Sequence, residues 1–319
     1  MNIHQFRFVR EAVRQNFNLT DAAKALFTSQ PGVSKAILEL EDELGVDIFR
    51  RHGKRIRDLT DPGKKALICI EKILGEIENL KKIGSEYAAT DQGNFVIATT
   101  HTQARYSLPQ VIAEFRKRFP KVRVSIQQGS PEHLVQLVLS NQADIAIATE
   151  GLSEHPQLVS LPGYQWQHAV VVPHGHPLLA KKPLALEDLV EYPIITYDLA
   201  FAGRPKINEA FAKKKLQPDI VLEAIDADVI KTYVENGLGV GIVSALAYDA
   251  QRDTALEMLP AGHLFGNNTT RVAIKQDAYL RSYTYTFIEL FSPSLNKKLV
   301  DQALQNHGQV IEENTSYDI

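Results

Sequence analysis

The chain has 319 residues, 44% of them hydrophobic, which is enough for two or three globular domains with buried cores. Its net charge of −3 excludes a protein that binds nucleic acid through a wholly basic surface. The first 60 residues nevertheless carry ten Lys and Arg against eight Asp and Glu, a local excess of positive charge. Cys69 is the single cysteine, which excludes an intrachain disulfide.

Two further classes of protein are disfavoured. No apolar run reaches 18 residues, and Arg7 and Arg10 interrupt the N-terminal segment, so we expect a cytoplasmic protein with no membrane partner. No paired acid-base groups or nucleophile motif stand out, and His174 and His176 flank a glycine in a pattern typical of a turn. We therefore expect neither an enzyme nor a cofactor or metal site.

The N-terminal part predicts three short helices. The first has apolar residues at helical spacing, namely Ile3, Phe6, Val9 and Val13. Thr20 is expected to cap the second helix. Pro31 is tolerated only in the first turn of a helix, so it marks the start of the third, and Gly45 marks its end.

The third helix divides into an apolar and a polar face. The apolar face carries Val33, Ile37, Leu40 and Leu44, and the acidic run nearby (Glu39, Glu41, Asp42 and Glu43) is expected to be solvated. A basic segment follows, so this pattern is typical of a winged helix-turn-helix that enters the major groove. The alternative is two short helices with an ordinary solvated face. The predicted DNA contacts are Thr28, Ser29, Gln30, Pro31, Ser34, Lys35, Arg50, Arg51, Lys54 and Arg55.

The segment from Pro62 to Ala88 predicts one long helix. Its apolar stripe consists of Leu67, Ile70, Leu74 and Ile77, widened by Ile73 and Leu80. Such a stripe favours pairing with a second copy of the chain. The alternative is a helix that packs on its own domain. Cys69 lies among these residues and is expected to pack rather than to react.

Strand and helix patterns alternate through the rest of the chain. Strands are expected at residues 95–99, 122–126, 143–149, 169–172, 194–196, 220–222, 239–243 and 271–274. Helices are expected at residues 108–119, 133–139, 206–213, 228–236 and 280–291. This alternation predicts a mostly parallel sheet covered by helices, in two α/β subdomains.

A polar segment at residues 99–106 follows the first of these strands. Ligands of open α/β sheets bind at the carboxyl ends of strands, and a helix N-terminus favours an anion. Thr100, Thr102 and Gln103 would supply neutral donors there, and Thr149 is expected to face the same crevice. The alternative is a threonine-rich turn that only caps the helix.

These residues, in this order, resemble the LysR-type transcriptional regulators. The resemblance rests on Ala22-Ala23, Ser29-Gln30-Pro31, Val33-Ser34, Leu44-Gly45, Phe49-Arg50 and Leu59-Thr60. Segments 97–106, 128–131 and 226–233 resemble the CysB/Cbl subgroup, whose members regulate sulfur assimilation and alkanesulfonate use.

The resemblance implies an α+β multidomain fold. An N-terminal winged helix-turn-helix would occupy residues 1–60, a long linker and dimerisation helix 61–90, and a periplasmic-binding-protein-like effector domain 91–319. That domain would consist of two α/β lobes, lobe I at about 91–162 and 267–319 and lobe II at about 163–266.

The resemblance also implies partners. These are promoter DNA, RNA polymerase, and further copies of the chain in a homotetramer built as a dimer of dimers. The effector would be a small anionic or polar sulfur metabolite such as sulfate, thiosulfate, acetylserine or adenosine phosphosulfate. The effector pocket of the subgroup corresponds to Thr100, Thr102, Gln103, Thr149 and Ala202. Ala202 lacks the hydroxyl of the threonine that the CysB branch has there.

We therefore predict an effector-responsive, DNA-binding transcriptional regulator of sulfur-metabolism genes. Two alternatives are a solute-binding-type ligand sensor, because the α/β half alone fits one, and a regulator of a different metabolic pathway. A third is an enzyme fused to a DNA-binding module, for which the sequence offers no catalytic constellation.

Overall fold

The computed structural model describes residues 1–53, 55–88, 91–149, 151–153, 155–201 and 203–306. The chain forms two compact units, Met1–Gly84 and Ser85–Ile319. Lys54 and Ala202, which the sequence assigned to DNA and effector contacts, lie outside the described residues. Within those residues, no helix combines the length and the apolar character needed to cross a membrane.

The first unit contains three short helices, a hairpin and most of a long helix. These are α1 (Ile3–Arg14), α2 (Leu19–Ala25), α3 (Gln30–Leu44), β1 (Phe49–His52), β2 (Arg55–Leu59) and α4 (Asp61–Ala88). Apolar side chains from all of them form one core. The predicted helices are confirmed, and the basic segment forms an antiparallel hairpin, here called the wing.

Local capping explains where the helices begin and end. Asn18, not Thr20, caps α2: its side-chain oxygen accepts hydrogen bonds from the backbone N–H groups of Thr20 (3.0 Å) and Asp21 (3.3 Å). The expectation for Thr20 was wrong because the helix already begins at Leu19. Gly45 ends α3 in the left-handed conformation, with φ of 69°, as predicted.

The acidic run on α3 is not wholly solvated, which corrects the sequence expectation. Glu41 is only 4% exposed, and its carboxylate accepts hydrogen bonds from the backbone N–H groups of Ile48 (2.8 Å) and Phe49 (3.0 Å). The Arg51 guanidinium pairs with the same carboxylate at 2.5 Å. Leu44, which was expected on the apolar face, is exposed. The last buried residue of α3 is therefore Glu41, whose hydrogen bonds and ion pair connect the helix to the wing.

Helix α4 packs on the core of its own unit through the central residues of the predicted stripe. Ile70 and Leu74 are buried there, and Leu67 and Ile77 pack against the same core. These four residues therefore pack within their own domain, which was the alternative to pairing.

A different face of α4 remains exposed. It carries Cys69, Ile73 and Leu80, of which Ile73 is 43% and Leu80 67% exposed. Cys69 therefore does not pack inside the chain as expected. Intervals of four and seven residues keep these side chains on one face of a helix. An apolar face suited to pairing thus exists, and it contains Ile73 and Leu80, the two residues expected to widen the predicted stripe.

The second unit consists of a mixed sheet with helices on it. Its described strands are β3 (Gln92–Thr99), β4 (Lys121–Gln128), β5 (Ile145–Ala148), β6 (Leu158–Pro173), β7 (Ile194–Tyr197), β8 (Ile220–Ala224), β9 (Val240–Ser244), β10 (Leu256–Pro260) and β11 (Asn267–Lys275). The helices are α5 (Leu108–Arg118), α6 (Pro131–Leu139), α7 (Leu186–Leu189), α8 (Arg204–Lys213), α9 (Ala227–Glu235), α10 (Gly262–Phe265), α11 (Ser282–Phe291) and α12 (Lys297–Gln305).

Strand β6 is shared by two lobes. The strand order is β4-β3-β5-β11-β6-β9-β7-β8, and β10 also pairs with β6. The first half of β6 pairs with β11 in lobe I, and its second half pairs with β9 and β10 in lobe II. All three pairings are antiparallel, so the sheet is not mostly parallel as predicted. The reason is that β6 and β11 pass between the lobes without the helical crossovers that parallel pairing needs.

Candidate functional site

The exposed face of α3 presents the polar residues predicted to contact DNA. Gln30, Pro31 and Lys35 are exposed on it, and Ser34 is half-buried. Thr28 and Ser29 are exposed in the turn that precedes the helix, where the Ser29 hydroxyl oxygen accepts the N–H of Gly32 at 3.3 Å. The structure therefore brings all six residues to one end of α3.

The wing adds arginine side chains to the same unit. Arg50 and Arg55 are exposed, and Arg50 lies 3.9 Å from Asp61 in a solvent-exposed pair. Exposed pairs of this kind are weak and easily exchanged for other anions such as phosphate. Arg51 differs, because its guanidinium is committed to the buried Glu41 carboxylate.

A second group of polar side chains lies in the second unit, where β3 ends. Beyond Thr99 the chain enters α5 through a π-helical turn at Gln103–Ser107. Turns of this type are frequent at functional sites. Thr100, Thr102 and Gln103 are buried in this segment although they are polar. Polar groups are buried at a cost unless they have hydrogen-bond partners, so their partners decide what the segment can do.

Three hydroxyl groups hold the Gln103 side chain. Its amide oxygen accepts hydrogen bonds from the hydroxyls of Ser107 (2.7 Å) and Tyr164 (2.5 Å), and its Nε2 donates to Thr270 Oγ1 at 3.2 Å. Burial raises the pKa of the Tyr164 phenol, which keeps that hydroxyl protonated as a donor.

Thr149 is held beside this group. It follows β5, it is half-buried, and its hydroxyl oxygen accepts the indole N–H of Trp166 at 3.2 Å. The hydroxyl oxygens of Thr149 and Thr270 are 3.5 Å apart. Thr270 therefore lies between the side chains of Gln103 and Thr149 and links two of the predicted effector residues.

Three residues of this group were not predicted from the sequence: Tyr164, Trp166 and Thr270. Tyr164 and Trp166 alternate along one face of β6, a pattern typical of a strand. The predicted strand began only at Ala169, so this signal was overlooked. Thr270 lies just before the predicted strand at 271–274 and carries no local signal of its own.

Polar contacts next to this segment cross from lobe I to lobe II. The Tyr106 hydroxyl donates to Asp228 Oδ1 at 2.7 Å, and Arg105 Nε lies 2.6 Å from Asp228 Oδ2. Thr102 shares a hydrogen bond with the Tyr197 hydroxyl, which also accepts the N–H of Ser244 at 3.1 Å. The segment that carries the predicted effector residues therefore also holds the two lobes together.

Comparison with known proteins identifies a family for each of the two parts of the chain. The family described as "Bacterial regulatory helix-turn-helix protein, lysR family" matches residues 3–64, and the one described as "LysR substrate binding domain" matches residues 88–295. The HTH-type transcriptional regulator CysB of Burkholderia cenocepacia is 67% identical over 312 residues, which cover 98% of this chain and 100% of that protein.

More distant relatives point the same way. The HTH-type transcriptional regulator cbl of Escherichia coli K12 is 45% identical over 319 residues and is covered over 100% of both chains. The crystal structure of the cofactor-binding domain of the Cbl transcriptional regulator matches with a TM-score of 0.65 and 45% identity, over 67% of this chain and 93% of that one. These relatives are regulators, not enzymes. The chain belongs to the LysR family of bacterial helix-turn-helix transcriptional regulators.

Proposed function

We propose that the chain binds the promoters of sulfur-metabolism genes, and that a small sulfur-containing oxyanion between the lobes controls this binding. The regulators CysB and Cbl are its relatives, and the sulfur role comes from the resemblance to their subgroup. The exposed faces of α3 and the wing would contact DNA. The anion would favour one arrangement of the lobes over another, and only such a difference in affinity shifts an equilibrium.

The effector proposal rests on one observation: the side chains of Gln103 and Thr149 have N–H and O–H groups that can donate hydrogen bonds to a ligand. The Gln103 amide oxygen already accepts two hydrogen bonds, so one N–H of Nε2 is left without a partner among the described residues. The Thr149 oxygen already accepts the Trp166 N–H, which leaves its O–H to donate. A group of this kind suits an oxyanion that has no proton to donate.

This donor character predicts selectivity among oxyanions. Sulfate and thiosulfate carry no proton at neutral pH, whereas inorganic phosphate carries one or two, because its second pKa is near 6 to 7. If a P–O–H group of phosphate faces a protein donor, neither hydrogen has an acceptor, and the two unpaired groups cost about 1–3 kcal/mol. We therefore expect sulfate or thiosulfate to bind at least about tenfold more tightly than phosphate.

Calorimetry with the full-length chain tests the proposal. Thr149→Val keeps the shape of the side chain and removes the hydroxyl, so sulfate should bind about fivefold to tenfold more weakly, the equivalent of about 1–1.5 kcal/mol. Thr254→Val, an exposed site in lobe II, is the matched control and should bind sulfate as the unaltered chain does. Equal binding of phosphate and sulfate, or an unaffected Thr149→Val variant, would contradict the assigned effector site.

A further inference from the structure

A cluster of side chains joins the segment that holds Thr100 and Thr102 to lobe II. His101 comes from lobe I, and Asp226 and Asp228 come from the start of α9 in lobe II. One ligand atom from each residue lies within 4.8 Å of the other two. Chain positions this far apart carry no spacing signal, so the sequence predicted no metal site here.

The imidazole of His101 has an unusual environment. Its Nδ1 atom is buried and has no hydrogen-bond partner among the residues that the structure describes. A buried polar atom without a partner costs about 1–3 kcal/mol unless another group satisfies it. The other two members of the cluster are carboxylates, which donate electron pairs just as a neutral imidazole nitrogen does. Three such donors that converge form a set that a bound cation would satisfy.

We propose that His101, Asp226 and Asp228 bind a divalent transition-metal cation that bridges the two lobes. One imidazole nitrogen and two carboxylate oxygens form a ligand set suited to Zn²⁺ or Mn²⁺. This site is distinct from the sulfur oxyanion site of the proposed function and does not depend on it.

Both carboxylates retain the capacity to bind a metal. Asp226 Oδ1 accepts the N–H of Val229 at 2.9 Å, which caps α9, and each carboxylate oxygen has two lone pairs. Asp228 receives the Tyr106 hydroxyl and the Arg105 guanidinium, and the Lys231 ammonium, which pairs more closely with Asp253 (2.8 Å), lies 3.5 Å from Asp228 Oδ1. Hydrogen bonds of this kind orient carboxylate ligands in metal sites. The Arg105 charge competes with a cation for Asp228, but its side chain is 50% exposed and can move into solvent.

Zinc titration of the full-length chain, after removal of metals with a chelator, tests the site by calorimetry. We expect one Zn²⁺ per chain. Asp226→Asn should weaken binding at least about tenfold while α9 remains capped, because Asn caps helices as well as Asp does. His101→Asn should have a similar effect. His133→Asn, which removes an exposed histidine of the same unit, is the control and should bind zinc as the unaltered chain does.

Arg105→Gln gives the opposite and more specific result. Removal of the competing charge should tighten zinc binding several-fold if Asp228 is a ligand. Absence of stoichiometric binding in the unaltered chain would overturn the proposal, as would equal losses in His101→Asn and His133→Asn. Weaker zinc binding in Arg105→Gln would also overturn it. Sulfate binding in the same preparations is a separate measurement, so failure of the metal site leaves the oxyanion site to be judged on its own.

Discussion

Glu41 and Arg51 have a structural role that their charges alone do not reveal. The sequence predicted a solvated face for Glu41 and a DNA contact for Arg51. In the structure the Glu41 carboxylate is buried beneath the wing, and Arg51 supplies its ionic partner. A buried charge that loses its partner is strongly destabilising. Arg51 therefore supports the wing whether or not it also contacts DNA.

Arg51→Ala should thus destabilise the first unit by about 1.5–3 kcal/mol, the range for hydrogen bonds to charged groups. Hydrogen exchange at the amides of α3 measures this as faster exchange. Arg55→Ala is the control: Arg55 is exposed, so stability should change by less than about 0.5 kcal/mol. The Arg55→Ala variant should instead bind all DNA sequences more weakly and lower the salt dependence by about one unit in gel shifts. Equal stability of the two variants would contradict the role of Arg51.

Helix α4 depends on a close approach at its first turn. A Cβ atom added to Gly63 would lie 1.9 Å from the backbone oxygen of Ile48, whereas one added to Gly84, in the same helix, would meet no atom within 4 Å. Gly63→Ala should therefore destabilise the first unit by about 1–3 kcal/mol through overpacking. Gly84→Ala should be neutral or stabilise the helix by up to about 1 kcal/mol. Hydrogen exchange along α4 distinguishes them, and a stable Gly63→Ala variant would show that the contact can relax.

The exposed face of α4 makes a different prediction, about association. Leu80→Glu places a charge on the apolar face of Cys69, Ile73 and Leu80, so it should weaken pairing between copies of the chain. Sedimentation at micromolar concentrations should show a smaller species. Lys64→Glu, an exposed substitution away from that face, should leave the mass unchanged. If Leu80→Glu keeps the mass of the unaltered chain, another surface holds the copies together.

Signals within single elements explain why much of the fold followed from the sequence. Pro31, Gly45 and the apolar spacing of α1 are local, and each predicted its element correctly. The choice between the two apolar faces of α4 depends on what packs against the helix, and no local pattern contains that information. Similarly, Thr270 and Tyr164 reach Gln103 from a distant part of the chain. Residues of this kind become visible only once the sheet has brought them together.

At the scale of the whole molecule, acid should weaken a contact within the second unit, between the last turn of α4 and the start of α11. Glu86 accepts a hydrogen bond from Arg281 at 2.9 Å. Burial alone would raise the pKa of Glu86, but the hydrogen bonds from Arg281 and Ser282 together lower it below its ordinary value of 4.5. A carboxyl whose pKa is lowered by folding stabilises the protein above the unfolded pKa, and this contribution is lost as pH falls through the folded pKa.

Thermal melting of the unaltered chain and of Glu86→Gln, between pH 7 and pH 4, tests this expectation. The variant should melt at a lower temperature at pH 7, and the difference should shrink as the pH falls below about 4.5. A difference that stays constant with pH would show that the loss is one of packing and not of charge.

The position of Trp166 gives the protein a spectroscopic reporter of its own. It is the single tryptophan of the chain, it is buried, and its indole N–H is bonded to Thr149. It also lies beside His168, where β6 exchanges its pairing with β11 for pairing with β9. Indole emission depends on the polarity and hydrogen bonding around the ring. A ligand that binds beside Trp166, or a rotation of one lobe relative to the other, should therefore change the fluorescence of the unlabelled protein. Candidate effectors can thus be screened by tryptophan emission alone.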